Sequence, residues 1–401
     1  MNLNRASLTK FDTLANKLSP HYSYFDVSNR LLFTGHSHQA WPDVAKKGLM
    51  ESYEVSAAQV DKKWGIAFEK IEKLRKYLRS YYDDADGMYT LGQNTHQLLV
   101  SWLSALGLDR DSKIITTDAE FYSMSRQLKR LQEEGVEVIA LPAQPGELFL
   151  ERLKQEIDDS TTALMCSRVY FQSGLINTAI SEAAAVARAH DVPFLIDDYH
   201  GTNVVPLSLR DKHLEDCYLM IGGYKYLQWG EGNCFLRYPR DCKLRPVVTG
   251  WFASFSTLED SKEHQKVHYE DEHQLFASAT FDSASQFRAA AVIDFFKDQG
   301  LTPEVLRRQY LQQIAFMREK FMSLKINESL LSLYHNEDIE HNGGFLALKS
   351  SHALALQKML MDHDVFTDAR GNTLRFGPAP YTTSQQIEKA FDILRESVEL
   401  L

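Results

Sequence analysis

Cysteine is scarce in this chain: four residues in 401, at positions 166, 217, 234 and 242. That number cannot make a disulfide framework, and it fits a reduced, cytoplasmic setting. Positive charge is also in deficit. Lys and Arg total 44 against 54 Asp and Glu, a formal charge of −10, which argues against a dedicated nucleic-acid binder with a basic surface. No long uncharged apolar run is present, so no membrane-spanning helix is expected. The opening Met-Asn-Leu-Asn-Arg-Ala has no apolar core of a secretion signal. There is no internal repeat, no low-complexity linker, no G-x-G-x-x-G and no G-x-x-x-x-G-K-[ST], which removes support for dinucleotide and nucleotide-phosphate sites. What is there is ordinary for a globular protein: 44% hydrophobic, 24% charged and 11% aromatic residues, with length enough for a large domain plus a smaller one.

Periodicity alternates along the chain. Residues 41–82 read as two helices, the second with Phe68, Ile71, Leu74 and Leu78 at helical spacing, and residues 93–106 read as a third. Short β-branched or apolar runs then alternate with helical stretches. The strand-like runs are 113–117, 136–140, 162–166, 192–196 and 219–221; the helical stretches are 123–134, 148–157 and 179–189. Such alternation predicts an α/β fold with βαβ crossovers and a mostly parallel sheet flanked by helices. A long helical stretch at 284–297 and a strand at 344–348 mark a C-terminal α+β small domain. The expected division is an N-terminal segment near the active site (1–45), a large domain (46–280) and a small domain (281–401).

Ligands of parallel sheets sit at the carboxyl ends of the strands. After the strand ending at Ile196 comes Asp197-Asp198-Tyr199-His200-Gly201; after the strand ending at Ile221 comes Gly222-Gly223-Tyr224-Lys225-Tyr226. An acidic pair, a histidine and a lysine should therefore meet at one sheet edge. A buried lysine loses its proton more readily and becomes a nucleophile able to form a Schiff base; a solvated loop lysine is the plainer alternative.

These segments, Asp197-x-x-His200 followed by Tyr224-Lys225-Tyr226-Leu227, resemble the cofactor core of the class V, fold-type I pyridoxal-phosphate enzymes, and within them kynureninase. The likeness extends to Phe121, Gly250-Trp251 and Arg375-Phe376-Gly377. The resemblance implies pyridoxal 5'-phosphate as cofactor, with Lys225 as its Schiff-base lysine, Asp197 as partner of the pyridine nitrogen and His200 beside that aspartate. It also implies Tyr224 and Trp251 at the phosphate, Gln93-Asn94-Thr95 as the phosphate-binding turn, Phe121 stacked on the ring and Ser173 lining the cofactor edge. Arg375 matches the arginine that grips the substrate α-carboxylate, a task suited to a guanidinium fork. Independently of the likeness, free N–H groups at a helix start favour an anion, although Gln93-Asn94-Thr95 also reads as an ordinary cap. His36, in His36-Ser37-His38, is either a substrate contact or part of a surface pair.

The implied function is chemistry on an amino acid: kynureninase-like hydrolytic C–C cleavage of a 3-acyl-alanine, with a class V aminotransferase as the alternative and a catalytically silent cofactor-binding protein as a third reading. The partners implied are a small amino-acid substrate and a second copy of the chain. Met124 stands where kynureninase is acidic, Glu231 is unexpected in the stretch after the lysine, and Ser278-Ala279-Thr280 matches the family poorly; all three bear on the substrate. Class V cysteine desulfurases need a thiol well downstream of the lysine, and no cysteine follows Cys242, so persulfide chemistry is not expected. His264, His268 and His273 with Glu270 and Glu272 read as a charged loop, and no metal site is predicted.

Overall fold

A computed structural model describes residues 5–257, 266–269, 272–335 and 338–401. The chain begins with helix α1 (Arg5–Leu18), strand β1 (Leu31–Leu32) and two long helices, α2 (Val44–Gln59) and α3 (Lys63–Tyr82). The alternating region follows: β2 (Met88–Gly92), α4 (Thr95–Ser104), β3 (Lys113–Thr117), α5 (Tyr122–Glu133), β4 (Glu137–Leu141), α6 (Gly146–Glu156), β5 (Thr161–Ser167), α7 (Ile180–Ala189), β6 (Phe194–Asp197), the short α8 (Leu209–Lys212), β7 (Tyr218–Gly222) and β8 (Cys234–Tyr238).

These strands form one seven-stranded sheet in the order β2-β8-β7-β6-β5-β3-β4. Pairing is parallel throughout except at β8, which runs antiparallel to both its neighbours. The sheet is therefore mostly parallel, as the alternation predicts. Its interior strands β3, β7 and β8 are buried at every position, as a sheet covered on both faces requires. The covering helices show why the sequence reads as it does. On α5 only Met124 and Leu128 turn inward, one apolar stripe. On α7 the buried side is Ile180 and alanines 183, 184 and 187; the small alanine side chains let the helix lie close to the sheet. Strands β2 and β8 have no counterpart among the sequence-predicted strands.

The C-terminal part contains α9 (Ala284–Gln299), α10 (Pro303–Ser323), β9 (Ser332–Leu333), β10 (Leu346–Lys349), α11 (Ala353–Asp362), β11 (Val365–Phe366), β12 (Asp368–Arg370), β13 (Thr373–Phe376) and α12 (Ser384–Glu399). Four of its strands make an antiparallel sheet, β12-β13-β10-β9. Helix α12 opens with a capping box between Thr383 and Gln386. Helix α9 is buried on most of its circumference, through Phe287, Val292, Phe295 and Phe296 and also Gln286 and Arg288, and it packs along α2 and α3. Strand β1 pairs with β11 through Leu31 and Val365. Thus the N-terminal segment is stitched to the C-terminal sheet, and this stitch carries its following loop toward the edge where β6 and β7 end. Among the described residues no helix is long and apolar enough to cross a membrane.

Candidate active site

Strands β6 and β7 are adjacent and parallel, so the segments after Ile196 and Ile221 emerge side by side. Alternation at the end of β6 splits the acidic pair. Asp197 turns to the lysine side, its carboxylate accepting the Tyr199 backbone N–H at 2.9 Å. Asp198 turns the other way and is fully buried, bound by Arg168 at 2.5 Å and by the Tyr82 hydroxyl at 2.6 Å. That second carboxylate is a structural anchor.

Lys225 is buried, and its Nζ lies 2.6 Å from His200 Nε2 and 4.5 Å from the centre of the Tyr199 ring. Tyr199 can lie there because residue 222 is glycine: a Cβ at Gly222 would sit 1.8 Å from the ring. Burial lowers the Lys225 pKa to about 7, partly opposed by Asp197 and reinforced by Arg375. Burial likewise raises the Asp197 carboxyl above its ordinary value, against the pull of the Tyr199 N–H and Lys225. His200 is held well below the usual imidazole range by burial, and then by the positive charges of Lys225 and Arg375. It is neutral, and with Nε2 facing the lysine its Nδ1 is buried with no partner.

A cavity of about 360 Å³ opens over these groups. Its walls include Gln93, Asn94, Thr95, Phe121, Tyr224, Lys225, Asp197 and His200, so eight of the twelve sequence-predicted site residues meet around one space. Met124 and Glu231 line it too. Asn94 caps α4, its side chain accepting the Gln97 N–H at 2.9 Å; the remaining first-turn N–H groups face no intrahelical acceptor. Gln93 Nε2 is buried without a partner. Tyr224 is sandwiched by His38, stacked at 4.9 Å, and Tyr199 at 5.1 Å.

Arg375 and His36 form a second cluster behind Phe171, another wall residue. The Arg375 guanidinium donates to the Phe171 carbonyl at 2.5 Å and is also bound by Asp368 on the adjoining strand, while its Nε is buried and unpartnered. His36 is fully buried, 3.7 Å from Asp368, with its ring 4.6 Å from that of Phe345. Burial and the Arg375 charge lower its pKa to about 3. It is placed by the backbone bond from Gly35 N–H to the Gly377 carbonyl at 2.8 Å. A Cβ at Gly377 would be 2.2 Å from His36 Nδ1, which gives the glycine of Arg-Phe-Gly a steric reason. His36 is therefore part of a buried cluster, and the surface-pair alternative is corrected.

Two expectations need correcting within the single chain. Ser173, expected on the cofactor edge, is buried in a turn and accepts the Leu175 N–H at 3.1 Å; a serine oxygen that caps its own turn is not a cavity wall. Trp251, expected at the phosphate, is 41% exposed outside the cavity, its indole N–H donating to the Thr280 hydroxyl at 3.3 Å. Of the histidine–glutamate cluster, His264 and Glu270 lie outside the described residues. His273 is buried and accepts the Tyr89 N–H at 2.9 Å. No group of acids, histidines or cysteines among the described residues is arranged to hold a metal. Tyr199, Phe171 and Asp368 escaped the sequence reading. Tyr199 lay in plain view within Asp197-x-x-His200; the other two carry no motif.

Comparisons with known proteins agree with this geometry. Residues 306–394 match the kynureninase C-terminal domain. A probable mitochondrial cysteine desulfurase of Dictyostelium discoideum is 22% identical over 82% of this chain and 72% of its own. An uncharacterised aminotransferase, YcbU, of Bacillus subtilis (strain 168) is 20% identical over 89% of this chain and 91% of its own. Among solved structures, C-DES with glycine covalently linked to its PLP cofactor superposes with a TM-score of 0.78 at 16% identity, covering 94% of this chain and 98% of that one. The chain has the fold of the class V, fold-type I pyridoxal-phosphate enzymes. Pyridoxal 5'-phosphate is the cofactor of the enzymes with that fold, and the site here fits it. The unpartnered Gln93 amide and the start of α4 offer donors for an anion, His200 Nδ1 awaits a partner, and an acid and a nucleophilic amine face one space.

Proposed function

We propose that this class V protein acts on an amino acid with pyridoxal phosphate held in the Lys225 cavity, and that the reaction is a kynureninase-like hydrolytic C–C cleavage of a 3-acyl-alanine. The observation that carries the cofactor role is the buried Lys225 beside His200, its pKa lowered to about 7. Such an amine is about half unprotonated at neutral pH and can attack an aldehyde, which an ordinary lysine near 10.4 rarely does. Asp197 is the residue to hold a proton on the pyridine nitrogen, and the cofactor, once bound, supplies an electron sink for a carbanion. Gln93, Asn94, Thr95 and Tyr224 would hold the phosphate, and Phe121 the ring. Arg375, with its Nε free, would take the α-carboxylate, and His36 would stand beside it. With substrate in place, Lys225 would be the general acid/base, holding and returning a proton at Nζ.

The hydrolytic branch is supported by the C-terminal match to kynureninase. Desulfurase chemistry, which names several relatives, lacks the thiol downstream of the lysine that the resemblance calls for: the four cysteines all precede residue 243, and Cys234, which lines the cavity, has its thiol pushed up to about 11 by burial. Aminotransfer is the second reading, favoured by the likeness to the Bacillus aminotransferase along nearly its whole length. The reading includes a cytoplasmic homodimer with cofactor sites near the subunit boundary, where the exposed Trp251 would find cover; light scattering on the purified protein checks the dimer. To separate the branches, L-kynurenine and 3-hydroxykynurenine are supplied in one assay and an amino donor with 2-oxoglutarate in another. Anthranilate-type products support cleavage. Oxo-acid turnover without them transfers the assignment to aminotransfer, and a colourless purified protein that gains no absorbance from added cofactor removes both.

A further inference from the structure

Glu120, immediately before Phe121, is a buried acid that the mechanism above does not use. Its carboxyl bridges the ends of two neighbouring strands. One oxygen accepts the Thr117 hydroxyl of β3 at 2.5 Å and the Ser167 backbone N–H of β5 at 3.0 Å; the other accepts the Ser167 hydroxyl at 2.6 Å. All three partners are neutral donors. Ser167 lines the cofactor cavity and stands in register opposite Asp197. Phe121, which also lines the cavity, follows Glu120 directly.

A strand-to-strand tie needs no acid: an amide or hydroxyl would serve without the cost of burying a charge. An acid is worth burying where its negative charge acts on something nearby. From these contacts we infer that Glu120 is a positioning residue of the cofactor site, acting through Ser167 and Asp197 to favour positive charge on the bound cofactor. The inference rests on the proposed cofactor reading and deepens it.

The groups around Glu120 are consistent with that action. Burial raises its pKa to about 7, its three donors lower it, and Asp197 raises it. The other titratable groups it faces are Cys166 on β5 and Tyr170 just after β5, both pushed up by burial and held neutral. Asp118 points elsewhere, its side chain accepting the Ala143 N–H at 3.0 Å. The charge of Glu120 therefore forms near neutrality, at the end of the strand pair whose next neighbour carries Asp197.

The test is a spectroscopic pH titration, from pH 5.5 to 9, of the cofactor-loaded wild type, Glu120→Gln and Ser167→Ala. Ionised Glu120 stabilises a nearby cation, so removing it lets that cation lose its proton earlier. In Glu120→Gln the midpoint of the visible transition should fall by about one pH unit. Ser167→Ala withdraws one donor from the carboxylate, leaves it protonated to higher pH, and should move the midpoint in the same direction by less. A purely structural tie would lower cofactor occupancy while leaving the midpoint where it was, and that result in Glu120→Gln overturns the inference. Should Glu120→Gln not fold or not hold cofactor, Ser167→Ala decides alone: a downward shift supports, an unmoved midpoint overturns. A wild type that never turns yellow removes the cofactor reading itself and is distinguishable from either.

Discussion

Lys225 and Arg375 are both buried cations and each feels the other's field, yet they are held in opposite ways. Among the described residues Lys225 makes no ion-pair contact; its Nζ meets a neutral imidazole, and its proton is loosened to about pH 7. Arg375 is bound by the Asp368 carboxylate and the Phe171 carbonyl, and only its Nε is left over. An amine that must become a nucleophile gains from being left without a fixed counter-ion. A guanidinium proposed to take a carboxylate gains from having two of its nitrogens fixed, because its plane then sets the direction of the remaining N–H. On the proposed reading, the contrast separates the part of the site that would react from the part that would orient the substrate.

The largest break in that comparison is Lys225→Ala. Activity should fall by about 10⁴-fold, since nucleophile and general acid/base vanish together, and the yellow absorbance of the loaded protein should be lost. Asp197→Asn comes next. A neutral amide cannot keep a proton on a pyridine nitrogen, and kcat should fall by about 10²–10³-fold, as when one preorganised polar group is removed from a reacting centre. Cofactor absorbance should remain; an unimpaired kcat would detach Asp197 from the chemistry. Arg375→Lys tests orientation. It retains the charge and loses the planar guanidinium with its unpartnered Nε, so KM should rise by about 10–100-fold while kcat changes less. A fall in kcat with KM unmoved would mean that Arg375 does not hold the substrate.

The reactive half was more legible in the sequence than the orienting half. Lys225, Asp197 and His200 follow apolar runs that read as strands, and parallel neighbours necessarily deliver their ends to one edge. Nothing comparable flags Asp368, which meets Arg375 only through the register of two short antiparallel strands. His36 reaches its place through a parallel pairing between residues more than 330 positions apart in sequence, Leu31 and Val365. Strand β8 went unread for another reason. It returns antiparallel within an otherwise parallel run, whereas the expectation followed βαβ alternation alone. Ser173 was placed on the cofactor edge by likeness to a motif, but a serine two residues before an available N–H is free to close its own turn instead.

The smallest expected effect joins the two halves, because both act on the Lys225 proton. A lysine with a folded pKa near 7 is protonated below that value and neutral above it. The rate at which cofactor-free protein takes up pyridoxal phosphate should therefore rise about tenfold from pH 6 to pH 8 and then level off. An unshifted lysine would gain about tenfold for every unit through pH 9. Asp197 raises the Lys225 pKa and Arg375 lowers it, so the two substitutions should move the midpoint in opposite directions. Asp197→Asn should carry it further below 7, and Arg375→Gln should bring it back toward the ordinary lysine value. Stopped-flow absorbance across this range reads all three curves. If the two variants shifted the midpoint the same way, the opposing fields assigned to the two halves would be wrong, whatever the activities had shown.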